Sequence, residues 1–362
     1  MRIVNLWSGL AVLTLCCTVS AVAEDEYVAA KLLEKTPLEY PGSAKARRLE
    51  GWAYYSYVVG IDGKVDKVTI HDSSGIDVLD QELVRSLRSR VYEPATLNGL
   101  PVEEYHGVLP FTFKLIGAPR GAQRGFTRKY KQALTDIAEG DLDEARIKIS
   151  DLEAVKQRGL YEELYLQVLL AEFNKATGDT DRERVHLSRV MDFYDDGADK
   201  GEQLVPPEFF LKYLARSYQL EVQRMMLGEA FGSADWMKNI DPDSELTRKV
   251  TAHAESLAAQ IEGREFWMKG ELLQPVYGGD VGMWQARLIR KEIELKSVVG
   301  RLDKILLVCE RGRRRLPNDA AEIGWIIPDS WGTCDLGIWG EIGASLVVAE
   351  LPAGSLAPGL AQ

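Results

Sequence analysis

The chain has 362 residues, of which 46% are hydrophobic and 27% are charged. This length predicts two or three domains, because a single domain usually takes roughly 100–200 residues. The composition is that of a folded protein and excludes a disordered one. The net charge of −11 disfavours nucleic acid as a partner.

The N-terminus has the layout of a secretory signal. A cation precedes the apolar stretch Val4–Val19, and the small residues Ala21 and Ala23 stand before an acidic segment. We therefore expect residues 1–23 to be removed on export. One alternative is an uncleaved membrane anchor, since about 20 apolar residues span a bilayer as a helix. The other is lipid attachment at Cys16 or Cys17, which the bulky residue before each cysteine disfavours.

The next part of the chain has mixed strand and helix patterns. Gly51–Gly60 is rich in aromatic and β-branched residues, and a tight Asp-Gly turn leads to a second strand at Val65–Ile70. Apolar residues at helical spacing then predict a helix over about Asp77–Arg90. After a long loop, alternation predicts a last strand at Leu109–Leu115. The predicted order is β-β-α-β.

Helical periodicity runs from Phe126 to about Gly263. Within it, the segment GDTDRERVHL from Gly178 echoes GDLDEARIKI from Gly140. The two segments are offset by 38 residues. This offset is similar to the repeat length of tetratricopeptide (TPR) arrays, about 34 residues. The middle of the chain is therefore predicted to be TPR-like.

The segment beyond Arg264 returns to strand patterns. Trp284, Ala286 and Leu288 alternate, and many of the chain's tryptophans lie here. Cys309 and Cys334 are the cysteines that remain after signal cleavage, and in an oxidising compartment they predict one disulfide. Two separately buried thiols are the alternative. A small β-sandwich or barrel fits this block.

A set of motifs over residues 35–115 follows one known pattern. In chain order they are Tyr40-Pro41, Leu49-Glu50-Gly51, Asp62-Gly63-Lys64-Val65, Tyr92-Glu93-Pro94-Ala95, Asn98-Gly99-Leu100-Pro101-Val102 and Lys114-Leu115. This ordered set resembles the C-terminal domain family of the TonB energy transducers. Any one of these motifs alone would be a weak signal, but their order over the whole segment is specific.

The resemblance implies a way of binding. In the transducers this domain grips a short extended segment of an outer-membrane receptor by adding it to a sheet edge, through main-chain hydrogen bonds. The implied partner is an outer-membrane TonB-dependent receptor or another envelope protein. The residues implied to bind it are Tyr40, Pro41, Gly107, Leu109, Phe111 and Phe113. The alternative is that these residues only close a small core.

Two features separate this chain from a complete transducer. Transducers carry a histidine in an N-terminal membrane helix and a long proline-rich spacer, whereas the apolar segment here has no histidine and a short segment follows it. In addition, Pro110 interrupts the closing strand, removes one main-chain donor and marks that strand as an edge or as irregular. We expect the recognition module without the connection to the motor.

No arrangement typical of catalysis stands out, and we expect no metal and no cofactor. His71, His106, His186 and His253 have no ligand partners at metal-binding spacing. Arg311, Arg313, Arg314 and Arg315 form either a solvated turn or a site for an anionic envelope polymer. The C-terminal tryptophans are either core residues or platforms for peptidoglycan sugars. The aromatic residues of 209–218 either pack helices or line a peptide groove.

The predicted fold class is α+β. The predicted parts are a signal peptide (1–23), a TonB-C-like β-β-α-β domain (24–118), an all-α TPR-like domain (119–263) and a C-terminal all-β sandwich or barrel (264–356). The predicted function is that of a non-enzymatic periplasmic TonB-family protein, a peptide-binding adaptor in outer-membrane transport that works by β-strand addition. The alternative is a periplasmic scaffold for envelope or cell-wall assembly.

Overall fold

The computed structural model describes residues 27–115, 117, 120–194, 203–275, 279–317 and 324–356. Along these residues, strands and helices are mixed at first, then come helices, and then mainly strands. The predicted signal segment, residues 1–23, lies outside the described residues. Within the described ranges, no helix is both long and apolar enough to cross a bilayer.

The first part is built on a three-stranded antiparallel sheet, β4-β3-β8, that packs against one helix. Its elements are β1 (Tyr27–Val28), β2 (Lys31–Glu34), α1 (Gly42–Ala46), β3 (Gly51–Val59), β4 (Val65–Ser73), α2 (Asp77–Arg88), β5 (Val91–Glu93), β6 (Ala95–Leu97), β7 (Leu100–Val102) and β8 (Glu104–Phe113). The predicted hairpin is confirmed, and Gly63 at its turn has the positive φ of 75° that glycine adopts without strain.

Helix α2 forms because its leucines recur at helical spacing. Leu79, Leu83 and Leu87 are at most 1% exposed and pack on the face of β3 that carries Tyr55 and Tyr57. Burying a leucine side chain contributes about 1.5–3 kcal/mol, so this stripe fixes the helix on the sheet. The helix ends at residue 88, two residues before the predicted end, because β5 begins soon afterwards.

The segment after α2 was predicted to be a long loop, and this prediction was wrong in one respect. It contains three short strands, and the N-terminal segment pairs with two of them: β1 with β6, and β2 with β5. Segments this short carry little periodicity of their own, and their partners lie far away in the sequence. The last strand also starts at Glu104, earlier than predicted, and it ends at Phe113.

The middle of the chain is helical in its described residues. Its helices are α3 (Arg124–Glu139), α4 (Leu142–Glu153), α5 (Leu160–Thr177), α6 (Thr180–Met191), α7 (Pro207–Gln223), α8 (Leu227–Ile240) and α9 (Glu245–Ile261). The two echoing motifs make the same turn. Gly140 and Gly178 each end a helix in the left-handed conformation, with φ of 85° and 78°, and the aspartate after each precedes the next helix.

The last part has two four-stranded sheets in its described residues, ordered β10-β15-β12-β13 and β14-β11-β16-β9. The strands are β9 (Phe266–Glu271), β10 (Gly282–Leu288), β11 (Glu292–Val299), β12 (Leu302–Cys309), β13 (Arg313–Leu316), β14 (Gly324–Ile326), β15 (Cys334–Gly340) and β16 (Ser345–Leu351). Buried residues of both sheets belong to one hydrophobic cluster. The predicted disulfide between Cys309 and Cys334 is present, and it joins directly opposite residues of β12 and β15.

The helices contact both flanking parts. Trp52 and Tyr54, on the face of β3 away from α2, belong to the core cluster of the helices. At the other end, Leu227 of α8 is buried in the cluster of the C-terminal sheets. A side chain at Gly228 would come within 2.2 Å of the backbone carbonyl oxygen of Arg287, so helix and strand touch through their backbones.

Candidate functional site

The outer side of β8 is an open strand edge. In the sheet order β4-β3-β8, β8 pairs with β3 on one side, and no described strand pairs with its other side. An open edge presents main-chain N–H and C=O groups that an extended segment of another chain can bind. We call this side of β8 the open edge.

The backbone of β3 reveals which groups of β8 point outward. The C=O of Trp52 accepts a hydrogen bond of 2.9 Å from the residue that follows β4, so the polar groups of Trp52 face β4. Successive residues of a strand direct these groups to alternate sides, so those of Ala53 face β8 and those of Tyr54 face β4. The register pairs Ala53 with Phe111 and Tyr54 with Pro110. The backbone of Pro110 therefore faces the open edge.

The same alternation places Thr112 outward, because it lies opposite Trp52. Pro110 has no N–H, so at this end of β8 the open edge offers one donor, from Thr112, and two carbonyl acceptors. Proline fits here because the ladder to β3 does not need its N–H. Further along, the register shifts by one residue opposite Tyr55 and Tyr57, and this bulge interrupts the regular edge.

The residues implied to bind a partner divide into two groups. Gly107 and Leu109 are exposed on β8, Leu109 at 37%, and Phe111 is half-buried. Phe113 is 2% exposed, and Tyr40 meets it edge-to-face with ring centroids 6.0 Å apart.

The side chain of Tyr40 is fixed at its ring by Phe113 and at its hydroxyl by a main-chain carbonyl. Its hydroxyl donates to the carbonyl oxygen of Leu49, and burial, followed by the charge of Glu50, raises the pKa of Tyr40 to about 12. Pro41 precedes the first residue of the short helix α1. Tyr40 and Phe113 therefore support the edge from the core side, and Pro41 leads into α1. Gly107, Leu109 and Phe111 lie along the strand that forms the edge.

A carboxylate anchors the N-terminal end of β8. Glu104 accepts hydrogen bonds from the Tyr27 hydroxyl and from the Ala30 N–H at 2.8 Å, and His106 Nε2 lies 3.1 Å away. Burial alone would raise the pKa of Glu104, but the contacts with His106, Tyr27 and Ala30 outweigh it and lower that pKa to about 2. The sequence analysis missed this anchor, since Tyr27 and Glu104 are 77 residues apart.

A buried polar cluster attaches the sheet to the helices, and the sequence analysis missed it too. Arg189 of α6 lies 4.2 Å above the ring of Tyr54 and 3.1 Å from Asp72 of β4. The hydroxyl of Tyr54 donates to Asp192 at 2.9 Å. Burial raises the pKa of Asp192 to about 6, although this hydrogen bond and the charge of Arg189 oppose the rise. This face of the sheet is therefore covered, and the edge of β8 stays open.

The helices also form a partly open groove of about 620 Å³ between α5, α6, α7 and α9. Tyr213 and Tyr218 of α7 line it, together with Lys212 and Arg216. Phe210 is fully buried in the helical core, at 0% exposure. The aromatic pattern of α7 thus serves helix packing and a groove wall at once.

The histidines are dispersed. His71 lies 2.8 Å from Ser56 Oγ, His186 lies 2.8 Å from Gln167, and His253 lies 2.6 Å from the Tyr218 hydroxyl. In the described part of the chain, no group of three or more His, Cys, Asp or Glu residues is arranged to hold a metal ion.

The N-terminal mixed unit belongs to a known class of domain. Residues 36–115 match the family model described as Gram-negative bacterial TonB protein C-terminal. This confirms the resemblance predicted for residues 35–115. The match covers the whole β3–β8 core that bears the open edge.

Two known proteins are similar to part of this chain. The protein TonB of Vibrio cholerae serotype O1 (strain ATCC 39315 / El Tor Inaba N16961) is 33% identical over 79 residues, which are 22% of this chain and 32% of that protein. The chain thus spans about a third of that relative's length. The solution NMR structure of the Pseudomonas aeruginosa TonB CTD is 26% identical, and the aligned part covers 25% of this chain and 90% of that one, with a TM-score of 0.22.

Proposed function

We propose that the mature protein lies in the periplasm and binds an extended segment of an outer-membrane TonB-dependent receptor, or of another envelope protein, at the open edge. It would act there as a non-enzymatic adaptor in TonB-dependent transport. The observation that carries this proposal is the open edge of β8 within a segment that matches the TonB C-terminal family. The step is non-covalent and needs no cofactor.

The geometry supports strand addition with one gap. An incoming strand receives a hydrogen bond from the Thr112 N–H and donates to the carbonyl oxygens of Thr112 and Pro110. Opposite Pro110, one carbonyl of the incoming strand stays unpaired. Gly107, Leu109 and Phe111 would lie beside the added strand, while Tyr40 and Phe113 hold the edge rigid.

We further propose the domain division 24–118, 119–263 and 264–356, following the cleaved signal 1–23. The matching turns at Gly140 and Gly178 favour a TPR-like arrangement for the middle domain. The shared cluster of the two C-terminal sheets favours a sandwich for the last domain. The intact mass of the protein purified from cells tests the export step, because cleavage leaves a chain that starts at residue 24.

Peptide binding by two Thr112 variants tests the open edge. Thr112→Pro removes the outward N–H without removing a bond to β3, and Thr112→Val keeps that N–H. A net main-chain hydrogen bond contributes about 1 kcal/mol, so Thr112→Pro should weaken binding at least about fivefold. The probes are fluorescent peptides from the periplasmic N-termini of the outer-membrane receptors of the same cell, and the assay is fluorescence anisotropy.

The affinities of these variants, together with that of Pro110→Val, decide whether a peptide pairs with the open edge. Thr112→Val is expected to bind as the parent does, and Pro110→Val should bind more tightly because it adds a donor to the edge. Equal affinities for the parent and Thr112→Pro would rule out pairing at this edge. If the parent binds none of the receptor peptides, the receptor is not the partner.

A further inference from the structure

One face of the C-terminal sheet β10-β15-β12-β13 carries three cations together. The register pairs Arg313 with Val308 and Arg315 with Leu306, and Lys304 lies two residues from Leu306 on the same face. The alternate residues of β12, among them Ile305 and Leu307, are buried in the core. Lys304, Arg313 and Arg315 therefore share the outward face, and we call them the cationic face.

In the described part of the chain, neighbouring charges near this face are paired, but these three are not. Arg287 lies 3.1 Å from Asp335, and Arg301 lies 2.6 Å from Asp303. None of the three cations forms an ion pair with a carboxylate among the described residues. This leaves a local positive surplus on a chain whose net charge is −11.

Two of the cations do have neutral contacts. The guanidinium of Arg313 interacts with the phenol of Tyr27, and Arg315 Nη2 donates to the carbonyl oxygen of Asp303 at 3.4 Å. Neither contact cancels a charge. Burial, and then the charges of Arg313 and Arg315, lower the pKa of Lys304. The three groups thus repel one another, and a bound anion would relieve the repulsion.

An aromatic ring holds Lys304 on this face. Its amine lies 4.1 Å above the ring of Trp339. That ring lies over Gly337, where an added Cβ would come within 2.5 Å of it. The indole attracts the amine through its π face without neutralising it. The cation is therefore positioned, with its charge available to a ligand.

The spacing of the cations suits a polymer with sparse charges. Residues two apart on a strand, and diagonal residues on neighbouring strands, lie about 7 Å apart, so Arg315 lies at about that distance from both Lys304 and Arg313. Lys304 and Arg313 are four residues apart in register, roughly 14 Å, so the three cations form an extended row. Guanidinium groups bind carboxylates through two parallel hydrogen bonds. A nucleic acid, with one charge per about 1.7 Å, would meet the repulsion of the acidic chain as a whole.

We propose that the cationic face binds a carboxylate-bearing glycan of the cell wall, namely peptidoglycan. This surface lies on the C-terminal sheet, and it meets β8 only where Arg313 adjoins the bond between Tyr27 and Glu104, away from Pro110 and Thr112. The protein would therefore be held at the wall by one part of the chain and bind a protein segment with another. Strand addition at the open edge is not required for it.

Co-sedimentation with isolated peptidoglycan sacculi at low salt tests the proposal on the full mature chain. The double variant Arg313→Glu, Arg315→Glu should lose about tenfold or more in binding, because it reverses two of the three charges. Arg313→Lys, Arg315→Lys keeps the charges and should retain most of it. Lys131→Glu, Lys249→Glu makes the same charge change on exposed helical positions and should bind as the parent does.

Circular dichroism at each step verifies that the variants fold. The proposal is overturned if the parent chain does not sediment with sacculi, or if the double glutamate variant sediments as well as the parent. Equal affinity of the parent for double-stranded DNA would also overturn it, since the face would then bind any polyanion. Thr112→Pro should leave sacculus binding unchanged, which separates this test from that of the open edge.

Discussion

Replacing Arg189 by methionine should weaken the attachment of the β3 sheet to the helices by about 3 kcal/mol. The side chain of Arg189 is 10% exposed. Its guanidinium lies 3.1 Å from Asp72, 3.6 Å from Glu163 and 4.2 Å from the ring centre of Tyr54. Methionine preserves most of the apolar volume, so the change mainly removes the charge and its hydrogen bonds.

The expected loss in stability follows from the carboxylates that lose their partner when Arg189 is replaced. Removing one partner of a buried ion pair usually costs about 3–5 kcal/mol. The lower end applies here for two reasons. The side chain of Asp72 is 33% exposed and can be hydrated, and Glu163 keeps an ion pair with Arg158 at 2.8 Å. The lost contact with the ring of Tyr54 adds to the cost.

Urea unfolding, followed by tryptophan fluorescence and circular dichroism, measures the effect. Arg182→Met is the matched control on the same helix, since Arg182 is 67% exposed in its ion pair with Asp179 and should cost at most about 0.5 kcal/mol. A loss below about 1 kcal/mol for Arg189→Met would refute the reasoning, because the cluster would then contribute no more than a surface pair does.

Three further outcomes are expected. Burial raises the pKa of Glu221 to about 7, so the folded state holds this proton to higher pH than the unfolded state does. The free energy of unfolding therefore falls as the pH rises from about 4 to about 7. Glu221→Gln should flatten this fall in urea titrations between pH 5 and 8. Reducing the disulfide between β12 and β15, whose cysteines are 25 residues apart, should lower the free energy of unfolding by about 3 kcal/mol in the same assay. Gly228→Ala should destabilise the chain, since the clash with the carbonyl oxygen of Arg287 outweighs a gain of about 1 kcal/mol in helix propensity. Gly232→Ala, on the same helix but with open space around the added methyl group, should instead raise the thermal midpoint.

Elements with strong local patterns could be predicted from the sequence. The hairpin β3–β4 follows from β-branched and aromatic runs on both sides of an Asp-Gly turn, and α2 follows from leucines at helical spacing. The position of Pro110 in an edge strand also follows from local chemistry, since proline avoids the donor positions of a ladder. The structure adds the register, which shows that its backbone faces the open edge.

Contacts between distant residues could not be predicted in the same way. The bond from Tyr27 to Glu104 spans 77 residues, and the contact from Arg189 to Asp72 spans 117. Tyrosine, arginine and aspartate are common on surfaces, so their residue types carry no signal for burial. Only their meeting in space makes them an anchor for β8 and an attachment for the sheet.

By itself the sequence determined the family resemblance of its first domain, the hairpin and the long helix of that domain, and the pairing of its last two cysteines, because each rests on short-range patterns or on a small choice of partners. The tertiary structure decided which edge is open, which face is covered and where cations gather that have no ion pair among the described residues. Those features depend on strand order and on packing between parts of the chain, and a backbone edge or a charge surplus exists only relative to its neighbours in space.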